Sequence, residues 1–396
     1  MNVPQGDHSR AVADRFYEDH EVAALLERAA DPARTWSELV SAGTPLADPG
    51  SRRMTFLFES HEPVHLWINR LTDKERHRHG VMLQAEGLPY WAKTVTVPPD
   101  LMASYCFRRA TGPHLADPHA RGGRLVGEAG SPLGTSLLLG ARAHVGVAWE
   151  CLAETEASFG RGVIGPHELE GYFYAPAGAK GELPLVILFD ADVWFDQMHL
   201  ASALERAIST GLLPACAVVG VGFRSTEQRR NILDPGRNLV DEVLHPLRAW
   251  AGERLEERHC VAAPSGEILA GQSLGGLVAL VIGTQEPERF RALIATSPSL
   301  WWTPAHDASP NDLAAQIQPW LVEEVIETLD DGEQLPQAYL SVGLREGHSV
   351  AHVLSLSREM HSIGWRNSVR LIDGGHDLAW WREELVASLA DALSRF

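Results

Sequence analysis

Residues 268–280 read ILAGQSLGGLVAL, a serine between glycines with an apolar run on either side. An apolar run, a sharp glycine-flanked turn and a second apolar run make a strand, an elbow and a helix. Glycine is needed where a side chain would clash or where φ turns positive. The pentapeptide Gly271-Gln272-Ser273-Leu274-Gly275 fits G-x-S-x-G. In that motif a strained turn lifts a hydroxyl above a sheet and the following helix N-terminus favours negative charge. Ser273 is thus the candidate nucleophile, and the amide of Leu274 a candidate oxyanion donor.

The surrounding pattern fits an α/β fold. LPLVILFDAD (183–192) and LLPACAVVGVGF (212–223) are near-continuous apolar runs, as buried parallel strands require. Helical spacing follows in 238–255, and strands are expected at 266–271, 291–299, 337–343 and 368–375. Residues 352–364 and 381–396 read as helices. Strands alternating with helices predict a mostly parallel central sheet covered on both faces, over 171–396. Before it, MTFLFES, VHLWINR, VMLQA, YWAKTVTV and SYCFRR are short β-branched and aromatic runs separated by turns. They predict a small β-sandwich within 1–150, after a short amphipathic helix near residues 22–29. Residues 151–170 are expected to link the two.

A serine hydroxyl needs a base to take its proton. In this fold class the chain order is serine, acid, histidine. His376 follows the strand SVRLID in a glycine-flanked loop, Gly374-Gly375-His376-Asp377, about where the base belongs. Glu346, after the strand QAYLSVG, is the candidate acid. Its rivals are Asp373 and Asp377, whose other reading is strand-end turn chemistry. The loop Asp190-Ala191-Asp192-Val193-Trp194 offers a second oxyanion donor, the amide of Asp192 with that of Val193 next; otherwise its two acids solvate a strand end.

Composition limits the partners. The 396 residues carry 34 Lys and Arg against 52 Asp and Glu, a formal charge of −18. Nucleic acid and anionic membranes both favour a basic face and are not expected as partners. No apolar run approaches a membrane span, and residues 1–30 lack the apolar core of a signal peptide. Four cysteines, Cys106, Cys151, Cys216 and Cys260, form no CxxC pair, which suits a reduced, cytosolic compartment and no metal site. His348 reads as loop surface, and EVIETLDDGE (324–333) as a solvated helix end.

With these segments placed, the chain resembles the cytoplasmic iron(III)-enterobactin esterases of the esterase-D branch of α/β-hydrolases. ILFDADVWFDQM, ILAGQSLGGLVAL, EPERF, SPSLWW, VGLRE and IDGGHDLAWWR carry the likeness, with WAKTVTVPPD and SYCFRR in the sandwich. The resemblance implies hydrolysis of a tricatecholate trilactone siderophore, with Ser273 as nucleophile, His376 as base and Glu346 as acid. It also implies no cofactor, iron arriving only as part of the substrate. Two departures stand out. Relatives read LDGQ where this chain reads FDAD, and R-x-x-E-L where it has Arg229-Arg230-Asn231-Ile232-Leu233.

A ferric tricatecholate is anionic and aromatic, so its pocket wants arginines and rings. Arg229, Arg230, Arg345, Trp194, Trp301, Trp302 and Trp381 sit on segments expected at the C-terminal rim of the sheet, where α/β folds bind ligands. Other readings of the chain are a general carboxylesterase or feruloyl-type esterase, and a siderophore carrier without turnover. The oligomeric state is not legible.

Overall fold

The computed structural model describes residues 15–48, 50–127, 132–150, 159–264, 266–305, 308–310, 318–326, 329 and 335–394. Cys151, the first part of the expected 151–170 linker and most of the acidic stretch 324–333 lie outside these residues. Two compact units emerge. One holds Met1–His144 together with Asp373–Trp380, the other Val145–Ile372 and Trp381–Phe396.

In the first unit two four-stranded antiparallel sheets supply the core. The strands are β1 (Leu46–Ala47), β2 (Arg53–Glu59), β3 (Val64–Ile68), β4 (Leu83–Gln84), β5 (Tyr90–Thr96), β6 (Met102–Arg109), β7 (Arg124–Val126) and β8 (Thr135–Leu139). Their orders are β1-β2-β5-β4 and β3-β6-β8-β7. Alternation along β2 shows how both faces become buried. Met54 and Phe56 join Leu66, Tyr105 and Phe107 in one cluster. Leu57 points the other way, into a second cluster with Leu26, Trp36 and Leu39. Those last residues belong to α1 (Asp19–Arg28) and α2 (Pro32–Ser41). Asp31 caps α2 by accepting from the Arg34 amide, with Pro32 at the first helical position.

The second unit is built on an eight-stranded sheet. Its strands are β9 (Gly160–Ile164), β10 (Leu169–Tyr174), β12 (Leu185–Phe189), β13 (Ala217–Gly222), β15 (Glu267–Gln272), β16 (Phe290–Thr296), β17 (Gln337–Gly343) and β18 (Asn367–Ile372). Two short strands, β11 (Gly181–Leu183) and β14 (Cys260–Ala262), pair separately. The order is β18-β17-β16-β15-β12-β13-β10-β9; the six strands from β18 to β13 are parallel, and β10 and β9 close one edge antiparallel. This is an α/β-hydrolase arrangement with a mostly parallel sheet. β12, LVILF, is buried throughout, which is why it reads as an unbroken apolar run.

The sequence reading missed β9. Its residues, GRGVI, alternate between half-buried and exposed positions, the mark of an edge strand. With two glycines and an arginine it resembles a linker in composition. Gly162 is there because a Cβ would meet the Trp250 ring at 2.8 Å. Cys106, Cys216 and Cys260 are all buried.

Candidate active site

The elbow follows β15 and opens α6 (Leu274–Gln285), the sixth helix after α3 (Leu200–Ser209), α4 (Thr226–Ile232) and α5 (His245–Glu257). Ser273 has φ 54° and ψ −121°, a conformation costing roughly 1–3 kcal/mol in a non-glycine residue. Gly271 makes room for the turn's own backbone and Gly275 for the neighbouring strand β12. A Cβ on Gly271 would lie 2.3 Å from the Gly275 carbonyl oxygen, and one on Gly275 3.1 Å from the Phe189 Cβ. Four backbone bonds lock the elbow. The Ser273 amide donates to Thr296 O at 2.9 Å; its carbonyl accepts from Ser299 at 3.0 Å, Gly276 at 3.1 Å and Leu277 at 3.2 Å. Its hydroxyl lies 3.2 Å from the Ser299 hydroxyl. Leu274 occupies the first turn of α6, where amides lack intrahelical partners.

Glu346 is buried at 6% exposure just beyond β17. Its Oε1 accepts from the Gly343 amide at 2.8 Å and from the Ser297 hydroxyl at 2.6 Å. Ser297 in turn accepts from the Trp381 indole N–H at 3.1 Å. Ser297 also sits at positive φ, 46°, with its amide on Ser341 O. The sequence showed SPSLWW as a likeness and carried no motif marking that its first serine donates to Glu346. A hydroxyl just past a sheet strand, beside the elbow strand, is the signal that could have found it.

A second buried network lies beside the elbow. Asp190, at 3% exposure and φ 58°, receives both arms of Arg229, Nε at 2.5 Å and Nη2 at 2.7 Å. Its Oδ2 also accepts from Gln272 Nε2 at 2.9 Å, and Gln272 Oε1 accepts from the Trp194 indole at 3.1 Å. Burial opposes the Arg229 charge, but the forked Asp190 carboxylate outweighs it and holds the guanidinium above its ordinary value. This corrects two expectations. Arg229 is committed to Asp190 and cannot offer that fork to an anion. Trp194, at 1% exposure, holds Gln272 beside Ser273 and has no face for a substrate ring.

Two further rings of the expected rim are buried. Trp302 is buried and packs edge-on against Trp320 with centroids 4.8 Å apart; Trp381 is buried on Ser297. Trp301 is half-buried, Arg230 is exposed and Arg345 half-buried. Ile232 is core. Asp192 is half-buried and accepts from the Phe223 amide at 3.2 Å. Burial, reinforced by the charges of Asp190 and Glu170, lifts its carboxyl to about 6.

His376 belongs to the segment Asp373–Trp380, which clusters with the first unit. Its side chain is exposed. The loop is shaped by close packing: a Cβ on Gly375 would meet Asn69 Oδ1 at 2.0 Å, and one on Gly374 the Trp380 ring at 2.4 Å. The Met102 amide donates to Asp373 O at 3.0 Å and the Trp380 indole to Gly375 O at 2.6 Å. Asp377 is spoken for. Its Oδ2 accepts from the Ser104 amide at 2.6 Å and hydroxyl at 2.9 Å, and its Oδ1 from the Ala379 amide at 3.0 Å. That caps α8 (Leu378–Leu393), which follows α7 (His348–Ser362). Arg382, part of the likeness, is buried with its guanidinium 5.5 Å from the centre of the Trp149 ring. Among the described residues no group of three or more His, Cys, Asp or Glu side chains is placed to hold a metal ion, and no helix is long and apolar enough to cross a membrane.

The iron(III) salmochelin esterase of Escherichia coli O6:H1 is 29% identical over 376 residues, 89% of this chain and 91% of that protein. The iron(III) enterobactin esterase of Escherichia coli K12 is 29% identical over 53% of this chain and 50% of its own length. A crystal structure of the enterobactin esterase from Shigella flexneri superposes with a TM-score of 0.75 at 20% identity, over 92% of this chain and 99% of that one, a likeness of fold. A family model described as putative esterase matches residues 165–392, more than half of the chain, and the chain belongs to that esterase family.

Proposed function

We propose that this esterase hydrolyses the ester bonds of a catecholate trilactone siderophore, of the ferric enterobactin kind, in the cytoplasm. Catechol-acyl serine units leave and the grip on iron loosens. The observation that carries the chemistry is the strained Ser273 on its glycine-flanked elbow. The substrate class follows the relatives named salmochelin and enterobactin esterases.

In the proposed reaction the Ser273 oxygen attacks the ester carbonyl while His376 takes its proton. Glu346, fixed by Ser297 and Gly343, orients the imidazole and stabilises its cation. The amides of Leu274 and Asp192 receive the oxyanion, each donor of this kind contributing a few kcal/mol. Collapse breaks the ester C–O bond, and the departing serine hydroxyl takes the proton from His376. Water then attacks the acyl carbon while giving a proton to His376, the acyl C–O bond to Ser273 breaks, and His376 returns that proton to the Ser273 oxygen as the acid leaves. Arg230, Arg345 and Trp301 are the remaining candidates for substrate contact. No cofactor takes part; iron comes and leaves with the substrate and its products.

The test is mass spectrometry of products from ferric and iron-free trilactone incubated with the purified chain. Linear trimers, dimers and monomers of the catechol-acyl serine unit are expected from the native chain and none from Ser273→Ala. Intact substrate with native protein, or products from Ser273→Ala, would overturn the reading.

A further inference from the structure

The first unit carries a pocket that the mechanism does not use. It has a volume of about 370 Å³ and is lined by His65, Trp67, Val81, Arg108 and Arg109, with Pro63, Val64 and Ala110 at its edge. Pockets of roughly 300–1,000 Å³ are the size used for small ligands. Its chemistry is unusual for this chain. The sequence has a net charge of −18, yet no carboxylate lines the pocket. The Arg108 guanidinium sits 4.2 Å from the centre of the Trp67 ring. Among the described residues neither Arg108 nor Arg109 forms an ion pair. Burial, then the charges of His77 and Arg108, hold His65 below its ordinary value, so it presents a neutral ring. A larger hollow on the same unit, about 760 Å³, mixes Glu59 and Glu62 with Arg109 and Arg124 and lacks this bias.

The register of β3 on β6 says where the pocket lies. His65 pairs with Arg108 and Trp67 with Cys106, and the Asn69 amide donates to Ser104 O. Side chains two residues apart share a sheet face, about 7 Å from one to the next. One face therefore bears three rungs in succession: 65 with 108, 67 with 106, and 69 with 104. The last rung holds the His376 loop, since Ser104 grips Asp377 and the Asn69 amide group reaches His376 O at 3.4 Å. The cationic, aromatic rungs are its immediate neighbours.

We propose that Trp67 and Arg108 form a subsite for a planar aromatic anion, the catecholate arm of a substrate whose ester faces the His376 loop. This rests on the proposed function for the identity of the arm. A flat anionic ring suits the pair, because Arg108 donates charge-assisted hydrogen bonds to its oxygens while the indole and Val81 cover its apolar face. A partly exposed site of this sort weakens with salt.

The probe is 2,3-dihydroxybenzoate, titrated into the full chain and followed by tryptophan fluorescence or calorimetry, with cyclohexanecarboxylate as the non-aromatic control. Saturable binding is expected, tighter for the aromatic acid and weaker at high salt. Arg108→Gln is expected to raise Kd about tenfold, a loss of ~1.4 kcal/mol. Trp67→Leu should act similarly, Arg108→Lys should fall between, and Arg142→Gln, on an arginine of the same unit paired with Asp100, should leave Kd unchanged. Absence of binding, or equal Kd in native, Arg108→Gln and Trp67→Leu chains with native circular dichroism, would sink the subsite. Loss of probe binding in the variants of a chain that never cleaves a trilactone would keep the subsite and overturn the proposed reaction instead.

Discussion

The Ser273 elbow and the His376 loop both place a reactive side chain beside glycines, and the glycines answer different needs. At the elbow, Gly271 yields to the backbone of Gly275, four residues away. The elbow is made by one strand and one helix that adjoin in sequence. At the histidine loop, Gly375 yields to Asn69 and Gly374 to Trp380, while Met102 and Ser104 tie the flanking residues. Apart from Trp380, that loop is shaped by residues roughly 270–300 positions earlier. A motif can be read from sequence when its causes are local, as at Ser273. It is read only by position and order when its causes are distant, as at His376.

The two acids nearest these segments give the largest expected contrast. Glu346 Oε1 accepts from the Ser297 hydroxyl and the Gly343 amide, whereas Asp377 accepts from Ser104 and Ala379 to hold the loop. Glu346→Gln should lower kcat by about a thousandfold, in line with loss of a triad acid. Asp377→Asn should lower kcat far less, and instead reduce unfolding free energy by about 2 kcal/mol through lost bonds to Ser104 and Ala379. Steady-state kinetics beside urea denaturation separate them. A thousandfold loss from Asp377→Asn with unchanged stability would exchange their roles.

The glycines sharpen the same contrast at smaller scale. Gly271→Ala presses a methyl into backbone and should destabilise by about 3 kcal/mol or more. Gly375→Ala meets chiefly the Asn69 and Arg70 side chains, so the cost should be lower and partly recovered in Asn69→Ala/Gly375→Ala. Thermal unfolding of the two single variants and the double variant measures this; no recovery in the double would mean the loop is constrained by its own backbone.

The smallest effect concerns Asp192, whose folded carboxyl stands at about 6. An unfolded aspartate lies near 3.9, so between about pH 4 and 6 the native state binds the extra proton. Stability from this group is therefore greatest below that window and falls as pH rises through it. Asp192→Asn removes the term. The variant should match the native chain near pH 4 and exceed it by about 1 kcal/mol at pH 8, after allowance for solvent screening. Equal pH dependence in both would remove Asp192 as the source.

Much of this arrangement was visible before any coordinates. The elbow and the alternation of strands and helices rest on periodicity and glycine placement, whereas Glu346 and His376 are picked out by chain order and by the strands they follow. What sequence could not supply was pairing at a distance. Arg229 reads as a substrate cation until Asp190, 39 residues before it, takes up its fork. Trp194 reads as a rim aromatic until Gln272 claims its N–H. β9 reads as a linker because an edge strand needs few apolar residues. Ser297 carries no pattern of its own and gains its role only from Glu346 and Trp381.

The return of residues 373–380 to the first unit has a consequence for how this gene could be divided. Cutting it at residue 145 would yield a second piece encoding Ser273, its elbow and Glu346, along with an imidazole loop stripped of Asn69, Met102 and Ser104. The borders drawn by packing and by the order of codons do not coincide here, so shuffling either half between homologues would carry the histidine into a foreign cradle.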